Sequence, residues 1–445
     1  MNSGYEVGIT EYDLLIFLLY SFISIAFIFI YKSFNSNEIS KYLFPAFFLK
    51  ILGGLCLALV YVYYYEGGGD CYFYYFNSSE LTKVFYEKPS LYFKILFLDF
   101  EEAKLLLKSG GYAIESIRES ETFFFSKFQS PLNILSFNSY LGLTFFNSLI
   151  SYITTISLFK LLLKIIKNSE INIFIICFCI PSVLMWGSGL LKDTITMSCF
   201  NVCVVLLYNI IYKKIKLSYI IGFLICAYLI LGLKPYIFVA FLSWITFTIF
   251  YYFIIKSKNP ILKFLLVPYL GIIVISSLFF VSTTLLQNSS EYKVDDIYDR
   301  IKGFHDYHVF LKGSAYDLGP LDYSVFGLLS KFPQAVNVTL FRPYPWEASG
   351  GLFFLNSLES FFIFLFVIFT MIKLKTINLF KFWNKNSFVI GAIVFSIFYS
   401  FVIGVTSYNF GALSRFKIPM VPIFLFCILY TRNYKLNNES VIKNV

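Results

Sequence analysis

Charge is scarce in this chain. Only 14% of its 445 residues are Asp, Glu, Lys or Arg, against about 25% in an ordinary soluble domain. That deficit excludes a fully solvated globular surface. Histidine is rarer still, with two residues, His305 and His308. Eight cysteines are present, but Cys56, Cys177, Cys179, Cys199, Cys203, Cys226 and Cys427 lie in apolar stretches. Only Cys71 falls in a loop, so no disulfide framework can be built. Cys177 and Cys179 have no histidine nearby and do not read as a metal site. No Lys or Arg precedes the first apolar stretch. The basic region of a secretory signal is missing, and the stretch reads as a retained helix.

What the chain has in abundance is apolar sequence. Hydrophobic residues make up 58% of it, with 56 Phe and 35 Tyr. Runs long enough to cross hydrocarbon recur throughout, and in lipid the backbone must satisfy itself. The short alternating segments of a barrel are missing. The sequence therefore predicts an all-α polytopic membrane protein, a single transmembrane domain over 1–445. Eleven spans are expected, at about 14–31, 44–64, 132–159, 171–187, 195–212, 218–233, 236–255, 264–284, 352–372, 388–407 and 416–431.

The net charge of +10 is placed in a way that argues against nucleic acid. Basic residues cluster in alternate connections: Lys32 and Lys41, then Lys160, Lys164 and Lys167, then Lys213, Lys214 and Lys216. Lys256, Lys258 and Lys263 follow, then Lys373, Lys375, Lys381 and Lys385, and finally Arg432, Lys435 and Lys443. The positive-inside rule puts these in the cytoplasm, with the amino terminus outside and the carboxyl terminus inside. Two long segments, 65–131 and 285–351, then share the outer face. The first mixes apolar and charged residues at helical spacing, as in "SLYFKILFLDFEEAKLLLK", and predicts one or two amphipathic surface helices. The second is polar and aromatic.

Polar residues that demand an explanation lie at the outer ends of spans. In "EGGGDCYFYYF", three glycines precede Asp70, a carboxylate suited to general-base work or to a divalent cation, with Tyr74 beside it. The bland alternative is a solvated turn with an aromatic belt. "SGLLKD" places Lys192 and Asp193 in a short turn, where Asp193 could cap the next helix and Lys192 could hold a phosphate. "LGLKPY" presents Lys234, for which a snorkelling interfacial lysine is a sufficient explanation. In "RPYPWE", prolines stiffen a segment carrying Arg342, Trp346 and Glu347. Arginine suits bidentate phosphate binding and tryptophan a sugar face; the bland alternative, less favoured, is an Arg–Glu pair with a belt tryptophan. "SRFKIPMVP" puts Arg415 and Lys417 on the outer side against the topological bias, which suggests a bound anion. His305 and His308 have H-x-x-H spacing around Asp306, but a third zinc ligand is not evident; Arg300 is a weaker phosphate candidate.

These blocks resemble the GT-C superfamily of integral-membrane glycosyltransferases, and "SGLLKD", "RPYPWE" and "SRFKIPMVP" are similar to blocks in bacterial surface-polysaccharide glycosyltransferases and polymerases. One departure is that the acidic loop follows the second helix where many GT-C proteins place it after the first. The resemblance implies an inverting transfer from a polyprenyl-(pyro)phosphate-linked saccharide to a saccharide or lipid-linked acceptor, at the outer face of a bacterial cytoplasmic membrane. Asp70 would be the base, and Lys192, Arg342 and Arg415 would hold the donor phosphate. Trp346, Glu347 and Asp193 would bind the sugar or orient these groups, with Lys417, Lys234 and Tyr74 in weaker roles. The resemblance fixes no cofactor and leaves metal dependence open, a divalent cation at Asp70 included. The expectation is that Asp70, Lys192, Arg342 and Arg415 converge on one cavity, with Asp70 facing the cations without being locked to one.

The alternative is a transporter or flippase of the same lipid-linked saccharides. It would need charged or broken helices near mid-membrane, and the spans read as nearly free of ionisable groups at their centres. A structural subunit fits less well with cations placed against the bias. An acyltransferase lacks a histidine within a span.

Overall fold

The computed structural model describes residues 8–35, 39–66, 68–112, 120–256, 315–320, 322, 325–348, 350–374 and 386–443. These are helical almost throughout, and the only strand-like feature among them is an isolated antiparallel bridge between Ala315 and Asn409. Among the described residues, seven helices are long and apolar enough to cross a membrane, or eight if a pair bent by 67° counts as one span. The expected span at 264–284, together with Arg300, His305, Asp306 and His308, lies outside the described residues.

The first helices are α1 (Glu11–Phe34) and α2 (Ser40–Leu59), the latter ending in a π-turn over Val60–Tyr64. Thr10 and Asp13 form a capping box on α1, which satisfies its first amides. The other oxygen of Asp13 accepts from Ser139 Oγ at 2.7 Å and the Tyr140 amide at 2.8 Å, stitching α1 to a later helix. Much of α1 faces outward with large apolar side chains, Phe27 and Phe29 among them, as a lipid-facing helix should.

The segment expected to carry one or two surface helices contains four: α3 (Asp70–Glu87), α4 (Pro89–Phe97), α5 (Phe100–Ser109) and α6 (Ser120–Leu135). They enclose a small core of their own around Val84, Tyr92, Ile95, Ala103, Leu107 and Phe123. The expected span 132–159 is also corrected. Phe137 and Asn138 adopt left-handed conformations, a turn that Asn tolerates, so α6 stops there. The membrane helix α7 runs later, over Tyr140–Ile165. Gln129 and Asn147 exchange two 2.9 Å hydrogen bonds and tie the lobe to α7.

The stretch expected at 171–187 is broken. A short α8 (Glu170–Phe174) runs into a π-turn at Ile175–Cys179; α9 (Pro181–Trp186) then restarts at a proline. Residues 187–191 are non-helical yet buried. Carbonyls there need internal partners, because an unsatisfied one in a membrane interior costs several kcal/mol. Gly187 O accepts from Ser151 Oγ at 2.5 Å and from Lys50 Nζ at 3.2 Å. Ser188 O accepts from Ser148 Oγ at 2.6 Å, and Leu190 O from Cys71 Sγ at 3.2 Å. The approach is close enough to require the Gly53–Gly54 pair. A Cβ on Gly53 would sit 2.4 Å from Leu184 O, and one on Gly54 2.1 Å from Ser148 Oγ.

The remaining helices are α10 (Lys192–Tyr212), α11 (Leu217–Leu233), α12 (Pro235–Lys256), α13 (Val325–Ser330) and α14 (Phe332–Phe341), then α15 (Gly351–Leu374), α16 (Ser387–Thr406), α17 (Phe410–Phe416) and α18 (Val421–Lys443). The bent pair is α17 with α18. α12 packs along α16, where Trp244 stacks on Phe395, and Phe200 of α10 stacks on Phe395 and meets Phe241 edge-on.

Candidate functional site

Four chain segments meet at one end of the bundle. Gly69, with φ of 80°, allows the chain to turn directly into α3, so Asp70 stands at that helix's first position. Asp193 sits in the first turn of α10, Lys234 between α11 and α12, and Arg415 in the last turn of α17. Their ionised groups form a chain. Lys234 Nζ lies 2.5 Å from Asp193 Oδ1, and Arg415 Nη2 lies 2.9 Å from Asp193 Oδ2. Arg415 Nη1 then reaches Asp70 Oδ2 at 2.8 Å.

The geometry corrects three expectations. Asp193 does not cap α10, since both its oxygens are taken by cations. Lys234 is not a snorkelling interfacial lysine, because it is buried and ion-paired. Asp70 does not stand apart from the cations but is bound to one of them.

Burial divides the chain into two parts. Side-chain exposure is 2% for Asp193, 10% for Lys234 and 21% for Arg415, but 44% for Asp70. Two cations and one carboxylate are thus fixed inside, with a net charge of +1, and a partly solvated carboxylate closes them. Arg415 also lies over the Trp186 ring at 5.5 Å, and its Nε is buried without a hydrogen-bond partner. Beside it lies a cavity of about 440 Å³. Tyr65, Trp186, Asn356, Glu359 and Ser414 line it, and the buried Asn356 Oδ1 has no partner.

The other expected residues are placed differently. Lys192 lies 5.7 Å from the ring of buried Tyr74, with Thr122 Oγ1 at 3.1 Å and Glu121 Oε2 at 3.9 Å, and is not part of the ion chain. Arg342 belongs to a separate pairing. Its Nε lies 3.0 and 3.1 Å from the two oxygens of Glu347, and Nη2 also bonds Glu347. Glu347 accepts from the Tyr344 amide as well. Burial alone would raise the Glu347 carboxyl, but hydrogen bonds from Arg342 and Tyr344 outweigh it and hold it below the usual glutamate value. Trp346 is largely exposed and stacks on Tyr344, 4.9 Å between centroids.

Lys417 is fully buried, donating to Ser360 Oγ at 3.1 Å, with Glu359 Oε1 at 3.9 Å. Glu359 accepts at 2.6 Å from both the amide and the hydroxyl of Ser182. Glu121, Glu359 and Lys50 were not singled out in the sequence. The last two overturn the expectation that spans are nearly free of ionisable groups, and the signal was a lone charge inside an apolar run, "FFLKIL" and "NSLESFF". Among the described residues, no group of three or more His, Cys, Asp or Glu is placed to hold a metal ion. Compared with protein-family models, with curated proteins and with solved structures, the chain matches none of them.

Proposed function

We propose that the protein transfers a sugar from a polyprenyl-(pyro)phosphate donor to a saccharide or lipid-linked acceptor during surface-polysaccharide assembly. The reading keeps the GT-C-like layout of eleven spans, with the site at the outer face of a bacterial cytoplasmic membrane. The observation that supports it is the buried Arg415–Asp193–Lys234 triad, one positive charge in excess and closed only by exposed Asp70. A donor phosphate oxygen takes the place of Asp70 on Arg415, and Asp70 is released as a base. Asp70 accepts the proton of the acceptor hydroxyl while that oxygen forms a bond to the anomeric carbon. The bond from the anomeric carbon to the phosphate oxygen breaks, and its electron pair leaves with the phosphate, whose charge Arg415 balances. Asp193 and Lys234 orient Arg415. Lys192 and Arg342, each already facing a carboxylate, have supporting roles at most.

The test is to add purified protein to polyprenyl-linked saccharides and follow products by mass spectrometry. Transfer that is lost in Asp70→Asn supports the reading, whereas full activity of that variant removes the base. A second reading, a flippase of the same lipids, is favoured by buried Lys50 and Glu359 and by the broken helices α8–α9 and α17–α18. Movement of the lipid across proteoliposomes with no glycosylated product would select it.

A further inference from the structure

Three of the free thiols lie together in the seam between α10 and α11. Cys199 and Cys203 are about one turn apart on α10, so both project from the same face of that helix. Cys226 of α11 contacts both of them. The register of these antiparallel helices accounts for the meeting. Asp193 at the start of α10 binds Lys234 just past the end of α11, and farther along the seam Cys203 Sγ lies 4.0 Å from Phe223 O. Cys199 and Cys226 fall between those two contacts. Deeper still, a Cβ on Gly222 would sit 3.2 Å from Leu206 Cδ1, so the two helices approach closely there.

Burial separates the three thiols. Cys199 and Cys203 are buried, whereas Cys226 is only partly covered. Its neighbours Leu224, Ile225 and Tyr228 are large apolar side chains facing outward. α10 is long and apolar enough to cross a membrane, and Cys199 lies about 9 Å along it from Asp193 at the helical rise per residue. The sulfurs are not placed to hold a metal ion, and the proposed transfer makes no use of them.

We propose that this cluster is a modification site, in which Cys226 forms a reversible disulfide with Cys199 or Cys203 and the oxidant is a quinone dissolved in the bilayer. Two S–H bonds break and one S–S bond forms, and the two electrons and two protons reduce the quinone to a quinol. Position selects the oxidant. Cys226 is reached from the apolar side, where a charged, water-borne disulfide does not enter because an ionised group in hydrocarbon is costly. Position also selects the pairing. A disulfide needs Cβ atoms about 3.5–4.5 Å apart, and residues one turn apart on a helix hold theirs at about 5–6 Å. Cys199 and Cys203 therefore pair across the seam and not with each other. Two partners give the bond two positions. The thiol left free on α10 can attack the Cys226 sulfur, pass its proton to the sulfur it displaces, and move the bond by one turn with no further oxidant. In either position the bond ties together the helices that present Asp193 and Lys234.

The inference is independent of the proposed function. Full-length protein in nanodiscs is treated with an alkyl-tailed, fully substituted benzoquinone, the remaining thiols are blocked with a maleimide, and peptides are mapped without reduction. The expected product is an α10 peptide joined to an α11 peptide through Cys226, lighter by two hydrogens than its parts and released by dithiothreitol. Cys226→Ser should cut that product at least about tenfold, and Cys226→Ala should repeat the loss with an apolar side chain. Cys199→Ser and Cys203→Ser should each keep the product through the other partner, and the double variant should lose it. Matching elution of every variant and the wild type on size exclusion keeps misfolding apart from a lost bond. Oxidised glutathione should give at least about tenfold less product than the quinone. No joined product with the quinone, a product that survives Cys226→Ser, or an equal yield with oxidised glutathione overturns the proposal.

Discussion

Arg415 and Arg342 are equally exposed, at 21% each, yet they are held in opposite ways. Arg342 faces one carboxylate whose two oxygens both bind it, and its Nε–Nη2 edge is used within the six-residue segment 342–347. Arg415 is divided between a buried carboxylate and an exposed one, keeps a spare Nε, and is backed by a second cation. The sequence favoured Arg342 for its rigid setting. Rigidity, however, fixes the arginine on its own partner. Availability to an anion depends on whether the partner can leave, and that is decided by which acids the fold brings alongside.

The sharpest way to break this comparison is to remove the buried carboxylate on one side and the exposed one on the other. Asp193→Ala leaves Lys234 and Arg415 buried with one counter-ion gone and should destabilise by about 3–5 kcal/mol. Glu347→Ala should cost less, about 1–2 kcal/mol, since both members of that pair keep about a fifth of their side chains exposed and water can reach the Arg342 left behind. Thermal unfolding in detergent compares them, and equal shifts would mean that the two sites are not different in kind.

A smaller effect tests the buried turn that supports α10 and hence Asp193. Ser148→Ala removes the side-chain donor to Ser188 O and should cost about 1–2 kcal/mol. Ser151→Ala should cost less, because Lys50 still donates to Gly187 O. The reverse order of midpoints would show that Lys50 does not support that carbonyl.

The smallest effect concerns pH. The Glu347 carboxyl is held below its ordinary value, so the clamp's contribution is fully present above the unfolded glutamate pKa. It is lost as pH falls through the lower folded value. Carbon-detected titration of Glu347 should therefore move up toward the ordinary value in Arg342→Gln; no movement would remove Arg342 as the cause.

How legible was this in the sequence? Helix-forming stretches were, because apolar runs with lipid-facing residues have one solution. Breaks were less so. "SFNSY" carries the turn residues that end α6, but they lie inside a continuous apolar-looking run. The burial of 187–191 depends on Gly53, Gly54, Ser148 and Ser151 from other helices, and no local pattern encodes it. Asp70, Asp193, Lys234 and Arg415 were each visible as charges at helix ends. Their order in one ion chain was not, because pairing across more than two hundred residues is a property of packing. Glu359 and Lys50 are legible as isolated charges in apolar runs, but their partners Ser182 and Gly187 O come from other helices and turns.

In the proposed function Asp70 is the exchangeable counter-ion of a fixed, positively charged triad. The most direct measurement is the affinity of Asp70→Asn and wild-type protein for polyprenyl phosphate in nanodiscs. If Asp70 competes with the phosphate for Arg415, the variant should bind about fivefold more tightly, the factor expected from losing a partly exposed ion pair. Unchanged or weaker binding would contradict the account.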